Sequence, residues 1–114
     1  MLSREYRLQK EQDFTRVHHT GRFIGQKFLA IKFIPNHLDV SRFGFLVGTK
    51  ISKKSVVRNK IKRRLRETIR LKLAKIKPGF DVVVMVRLEI VDKTYQEIEQ
   101  AISGALKEAK LLSK

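Results

Sequence analysis

The stretch Lys50–Glu67, KISKKSVVRNKIKRRLRE, constrains this chain more than any other part of it. Nine Lys or Arg residues fall within positions 50–66, before the first acid, Glu67. Continued to Lys77, the block holds thirteen of the 26 basic residues and one of the 11 acids. Its apolar residues nevertheless keep a helical interval, with Val57, Ile61, Leu65, Ile69, Leu73 and Ile76 recurring at steps of three or four. The segment therefore reads as a helix with one face on a core and the opposite face a dense positive ridge. Neighbouring like charges repel unless phosphates or counterions neutralise them, so the ridge calls for a polyanionic partner. At about 100° per residue, Asn59, Lys62, Arg63, Arg66 and Arg70 share the exposed flank. Lys60 and Arg64 lie further round. Arg58 falls at the margin of the apolar stripe, placed to reach sideways along the surface beneath. A charged helix whose signs alternate is ordinarily a solvated face, but here a single acid interrupts the run.

With 114 residues, a hydrophobic fraction of 42% and seven Phe, the chain is long enough for one domain around a single core. A net charge of +15 and a pI near 10.6 point to nucleic acid or an anionic membrane surface. The membrane option is weak, because no apolar run exceeds the five residues Val82–Val86, far short of the roughly 20 a spanning helix needs. The start, MLSREYRLQK, has no apolar stretch after its charges and reads as no signal peptide. There are no cysteines, hence no disulfide, Cys-based zinc site or thiol nucleophile. The expected location is the cytosol.

Along the chain, residues 1–9 read as a loose polar segment. Lys10 to about His19 reads as a short helix with Phe14 and Val17 one turn apart, ended by Gly21. Phe23–Gly25 and Lys27–Ile34 read as strands, the second stopping before Pro35. Arg42–Gly48 reads as a third strand. The basic helix follows from about Lys54, with Ser52 or Ser55 as its N-cap, and runs until Pro78-Gly79. FDVVVMV, Phe80–Val86, reads as a buried strand. A last helix from Thr94 carries Tyr95, Ile98, Ile102, Leu106 and Ala109 on one face. The order is αβββαβα, an α+β (α/β sandwich) single domain.

Catalytic constellations are not visible. His18 and His19 diverge by about 100° on a helix, and His37 sits in a turn. Asp81, Glu89 and Asp92 form no recognisable pair, and Glu97 and Glu99 face apart. Gly25, Gly44 and Gly48 make neither a phosphate-cradling loop nor a dinucleotide fingerprint. If the chain serves an enzyme, another component carries out the chemistry.

Several residues together resemble the bacterial ribonuclease P protein component. They are Arg42-x-Gly44, Val47-Gly48-x-Lys50, Ser55–Arg63 and Arg66-Glu67. The likeness extends to Arg7-Leu8, Asp13-Phe14, Val17, Gly21 and PGFDVVV, and so covers roughly residues 7–110. Arg58-Asn59-Lys60 stands where the family has Arg-Asn-Arg, keeping charge but losing a forked donor. His18 and Ile31 stand where the family carries aromatic residues.

The resemblance implies a mixed sheet with a left-handed crossover through the basic helix, against the right-handed rule. It also implies the small subunit of a ribonucleoprotein that removes the 5′ leader of precursor tRNA. The RNA subunit would cleave the bond with its own metals, usually Mg2+, and the protein would hold none. Lys50, Lys53, Lys54, Arg58, Asn59, Lys60, Lys62, Arg63 and Arg66 would grip that RNA through phosphates and 2′-hydroxyls. Phe14 and Val17, with Ile31 and Phe33, would line a cleft between the first helix and the sheet that takes the single-stranded leader. Taken alone, Phe14 reads first as a core residue; the resemblance favours stacking on a base. The competing reading is a non-catalytic ribosomal or chaperone-like RNA-binding protein. A DNA-binding nucleoid protein fits less well, since no helix-turn-helix signal or minor-groove arm is present.

Overall fold

Phe80–Val86 is apolar without alternation because both of its faces are covered. In the computed structural model, which describes residues 2–112, this strand (β4) sits inside a four-stranded sheet. Its companions are β1 (Arg22–Gly25), β2 (Leu29–Pro35) and β3 (Arg42–Leu46), in the spatial order β1-β2-β4-β3. β2 pairs antiparallel with both β1 and β4, while β3 and β4 are parallel neighbours. Helix α2 (Ser55–Lys72) makes the crossover between them. Helix α1 (Glu11–Thr20) precedes the sheet and α3 (Tyr95–Glu108) follows it. The α+β class and the αβββαβα order hold, with added 3-10 turns at Arg4–Tyr6, Leu73–Lys75 and Leu88–Asp92.

The sheet divides two unequal cores. On one face, Ile61, Leu65 and Ile69 of α2 and Ile98, Ile102 and Leu106 of α3 pack on Leu29, Ile31, Phe33, Phe43, Val82 and Val84. Each fully buried aliphatic side chain is worth about 1.5–3 kcal/mol relative to exposure, so this layer dominates stability. Thr94 opens α3 with a reciprocal cap: its hydroxyl accepts the Glu97 N–H at 3.1 Å, and Glu97 accepts the Thr94 N–H at 2.9 Å. On the other face, α1 covers a smaller cluster of Leu8, Val17 and Val83, with Phe14, Ile34 and Met85 at its margin.

Several local expectations are corrected. The first nine residues are not loose within the described part: Leu2 and Leu8 are buried, and Leu8 N–H bonds the Phe43 carbonyl at 2.9 Å. Residue 1 lies outside the described residues. The N-cap position of α2 is Lys54, without a side-chain cap; Ser55 is already helical and Ser52 instead accepts the Lys54 N–H at 3.2 Å. α2 stops at Lys72, six residues before Pro78, where the chain tightens into a 3-10 turn. β2 includes Pro35 as its last residue, a position where the missing N–H does no harm.

Candidate nucleic-acid interface

α2 buries Ile61, Leu65, Thr68 and Ile69, which leaves its basic residues no place but the surface. Lys50, Lys53, Lys54, Asn59, Lys60 and Arg63 are exposed, and Lys62 and Arg66 are half-buried. Arg58 behaves differently from its neighbours. Its Nη1 folds back to donate to the carbonyls of Ser52 (2.9 Å) and Lys53 (3.1 Å), tying the loop before α2 to the first turn. The ridge ends at Arg70, whose guanidinium grips Glu67 at 2.5 and 3.0 Å. The Arg70 hydrogen bond holds the Glu67 carboxyl below its ordinary range. Between Lys50 and Arg66 no carboxylate intervenes.

On the α1 side, four elements meet at one acid. Asp81 is 0% exposed. Its carboxylate accepts from Arg42 Nε (2.9 Å) and Nη2 (2.8 Å), Arg16 Nη2 (2.8 Å) and Asn36 Nδ2 (2.9 Å). Arg16 also reaches Asp13 at 3.1 Å. Burial by itself would push the Asp81 carboxyl up, but hydrogen bonds from Arg42, Asn36 and Arg16 win and hold it below the usual value. These bonds tie α1 to β3, β4 and the turn after β2. On that side of the sheet Phe23, Gly25 and Leu46 remain exposed, and Lys32 and Met85 half-buried.

The uncovered part follows from register. Phe23, Lys32, Val83 and Gly44 form one cross-strand row facing α1, and Gly25, Ala30, Met85 and Leu46 form the next. Phe14 is half-buried, with its ring over Gly44, where an added Cβ would lie 2.3 Å from Cε1. Lys32 donates from Nζ to the His18 carbonyl at 3.0 Å, anchoring to the C-terminal turn of α1. Leu46 is 48% exposed at the β3 edge, four residues before Lys50, so the open row abuts the start of the ridge.

Three expected cleft residues therefore do not line the opening. Ile31 and Phe33 point to the opposite face and are buried in the main core, since alternate strand residues face opposite ways. Val17 is buried under α1 and offers no open surface. The residues that do face the opening, Phe23, Lys32, Met85 and Leu46, were missed by sequence reasoning. The pairing register is the signal that finds them.

Among the described residues, no three His, Cys, Asp or Glu side chains are placed to hold a metal ion. No described helix is long and apolar enough to cross a membrane. A sequence model of the Ribonuclease P family matches residues 2–110. The ribonuclease P protein component of Alkaliphilus metalliredigens is 39% identical over 107 residues, covering 94% of this chain and 96% of the relative. That of a Cyanothece species is 36% identical, covering 98% of each. Among solved structures, the Staphylococcus aureus RNase P protein superposes with a TM-score of 0.87 at 30% identity, covering 95% of this chain and 98% of that one. The Thermotoga maritima RNase P protein gives 0.81 at 29% identity, covering 90% and 96%. With its fold, basic crossover helix and nearly full-length match, this chain belongs to the ribonuclease P protein component family.

Proposed function

We propose that the protein works as the RNA-binding subunit of ribonuclease P, gripping the catalytic RNA with the α2 ridge and the precursor tRNA leader with the open strip beside α1. The observation that carries this reading is the run of cations from Lys50 to Arg66, uninterrupted by any acid and continuous with that strip. Phosphate contacts from Arg and Lys suit a folded RNA whose base edges are hidden in a deep, narrow groove. In the strip, the Phe14 ring supports a nucleotide base while Lys32 supplies charge for the backbone. Mature tRNA lacks the leader, so the strip distinguishes precursor from product.

Cleavage in this reading belongs to the RNA subunit and its Mg2+. The protein's buried acids do not fit such an ion, because Asp81 and Asp13 are occupied by Arg16, Arg42 and Asn36. The expected result is that purified, RNase-treated protein leaves precursor tRNA intact at any magnesium concentration, yet restores cleavage when the RNA subunit is added. Sustained, correctly placed cleavage by protein alone would refute the division of labour. The cytosolic location follows in this reading from the partners, since a ribonuclease P assembly must meet its RNA subunit and precursor tRNA.

Phe14→Ala and Gly44→Ala should produce the same defect by different routes. The first removes the ring; the second evicts it, because the new methyl would occupy the space 2.3–2.5 Å from Cε1 and Cζ. Each should weaken precursor binding by the holoenzyme by about 1–3 kcal/mol and leave mature tRNA binding unchanged. Binding titrations with both tRNAs, alongside melting temperatures, test this. A large loss of stability with an unchanged precursor-to-mature ratio would make Phe14 a core residue only.

A further inference from the structure

Phe23 is 55% exposed at the free edge of the sheet. A single exposed aromatic is ordinary, but its setting is not. It pairs with Lys32 across β1–β2, so it faces the same side as α1. The far edge of its ring leans over Gly25, where an added Cβ would sit 3.1 Å from Cε2. The ring thus reaches out of its own row towards the neighbouring row of Gly25, Ala30, Met85 and Leu46. Phe14 has the matching arrangement over Gly44 at the other edge. Two Phe–Gly pairs therefore stand at opposite ends of one sheet face, separated by three strand spacings, or roughly 14 Å. Between them Gly25 and Leu46 are exposed, Lys32 and Met85 half-buried, and the small Ala30 buried.

We infer that Phe23 is a second base platform, and that the leader crosses the sheet from the β3 edge at Phe14 to the β1 edge at Phe23. This rests on the leader-binding reading above and adds a direction and a far contact to it. A ring supported at one edge by bare backbone and open to solvent suits stacking by any base, because every base has a π-face. Phe23 is then a specificity-determining residue for leader length rather than for leader sequence.

The test uses the reconstituted holoenzyme and precursor tRNAs whose leaders grow one nucleotide at a time. The wild type should gain affinity in two steps as the leader lengthens, and Phe23→Ala should lose the later step only. For long leaders the loss should be roughly 5- to 150-fold, as expected for one base–aromatic stack. Mature tRNA and the shortest leaders should bind unchanged, and Phe23→Tyr should retain the step. Phe14→Ala should instead lose the earlier step. Phe23→Ala binding like wild type at every length, or losing equally on mature tRNA, would overturn the inference while leaving the leader reading intact. A wild-type holoenzyme with no preference for precursor over mature tRNA would sink both. A melting temperature within a few degrees of wild type is expected for Phe23→Ala, and a larger drop shared by Phe23→Tyr would make the ring structural.

Discussion

Asp81→Ala should lower stability by about 3 kcal/mol and the melting temperature by roughly 12–24 °C. The acid is fully buried and answers three separate donors from α1, the turn after β2, and β3. Removing it strips Arg42 of both short hydrogen bonds, leaving Asp13 at 3.6 Å, and leaves the Asn36 amide with the Val40 carbonyl alone. Breaking a buried pair from one side typically costs about 3–5 kcal/mol. The low end applies here because half of the Arg16 side chain and a quarter of Arg42 remain exposed to water. The same residue should give the fold an acid limb. Its carboxyl is held below the usual range when folded, so the stabilisation is complete above the unfolded value of about 3.9 and fades as pH falls through the lower, folded one. Thermal melts of wild type and variant at neutral pH and at successively lower pH should converge on acidification. A cost below about 1 kcal/mol at neutral pH would show that the cluster balances desolvation without net gain.

The second large effect is on assembly. Replacing Lys62, Arg63 and Arg66 together with Ala should weaken binding to ribonuclease P RNA on the order of a hundredfold at moderate salt, about 1 kcal/mol per contact. The log–log slope against salt should fall by about 2–3, since each phosphate contact contributes about 0.7–0.9. Lys107→Ala with Lys110→Ala, on or just beyond α3, supplies the control and should change the slope little. Equal effects from both sets would mean that net charge governs binding rather than the ridge. Arg58→Ala stands apart, because it also frees the loop at Ser52 and Lys53.

The elements were legible where a single physical signal dominated. The interval from Val57 to Ile69 can only be a helix on a core, and FDVVVMV can only be a strand covered on both faces. Thr94 with Glu97 announces its own cap. The cleft was not legible, because β2 reads LAIKFIP, with apolar residues on both of its faces. Without the pairing register, nothing in that string says whether Ile31 or Lys32 faces α1. The N-terminal segment misled for a similar reason. Its charges mark the solvent side, whereas Leu2 and Leu8 are too far apart to show a period. The helical wheel set Arg58 apart, at the margin of the apolar stripe and reaching sideways, but charge alone does not reveal that its guanidinium bonds the loop carbonyls beside it.

The unequal division of the core has a consequence for motion. Among the described residues, the cluster at α1 has three buried apolar side chains, Leu8, Val17 and Val83, with Phe14, Ile34 and Met85 partly buried, whereas α2 and α3 share the larger layer on the other face. Sub-global opening follows the elements with least buried apolar contact, so α1 is the helix whose detachment costs least. Detaching α1 must also break the Arg16–Asp81 bond and the bond from Lys32 to the His18 carbonyl, so polar ties to the sheet, and not apolar contact alone, set how readily it opens.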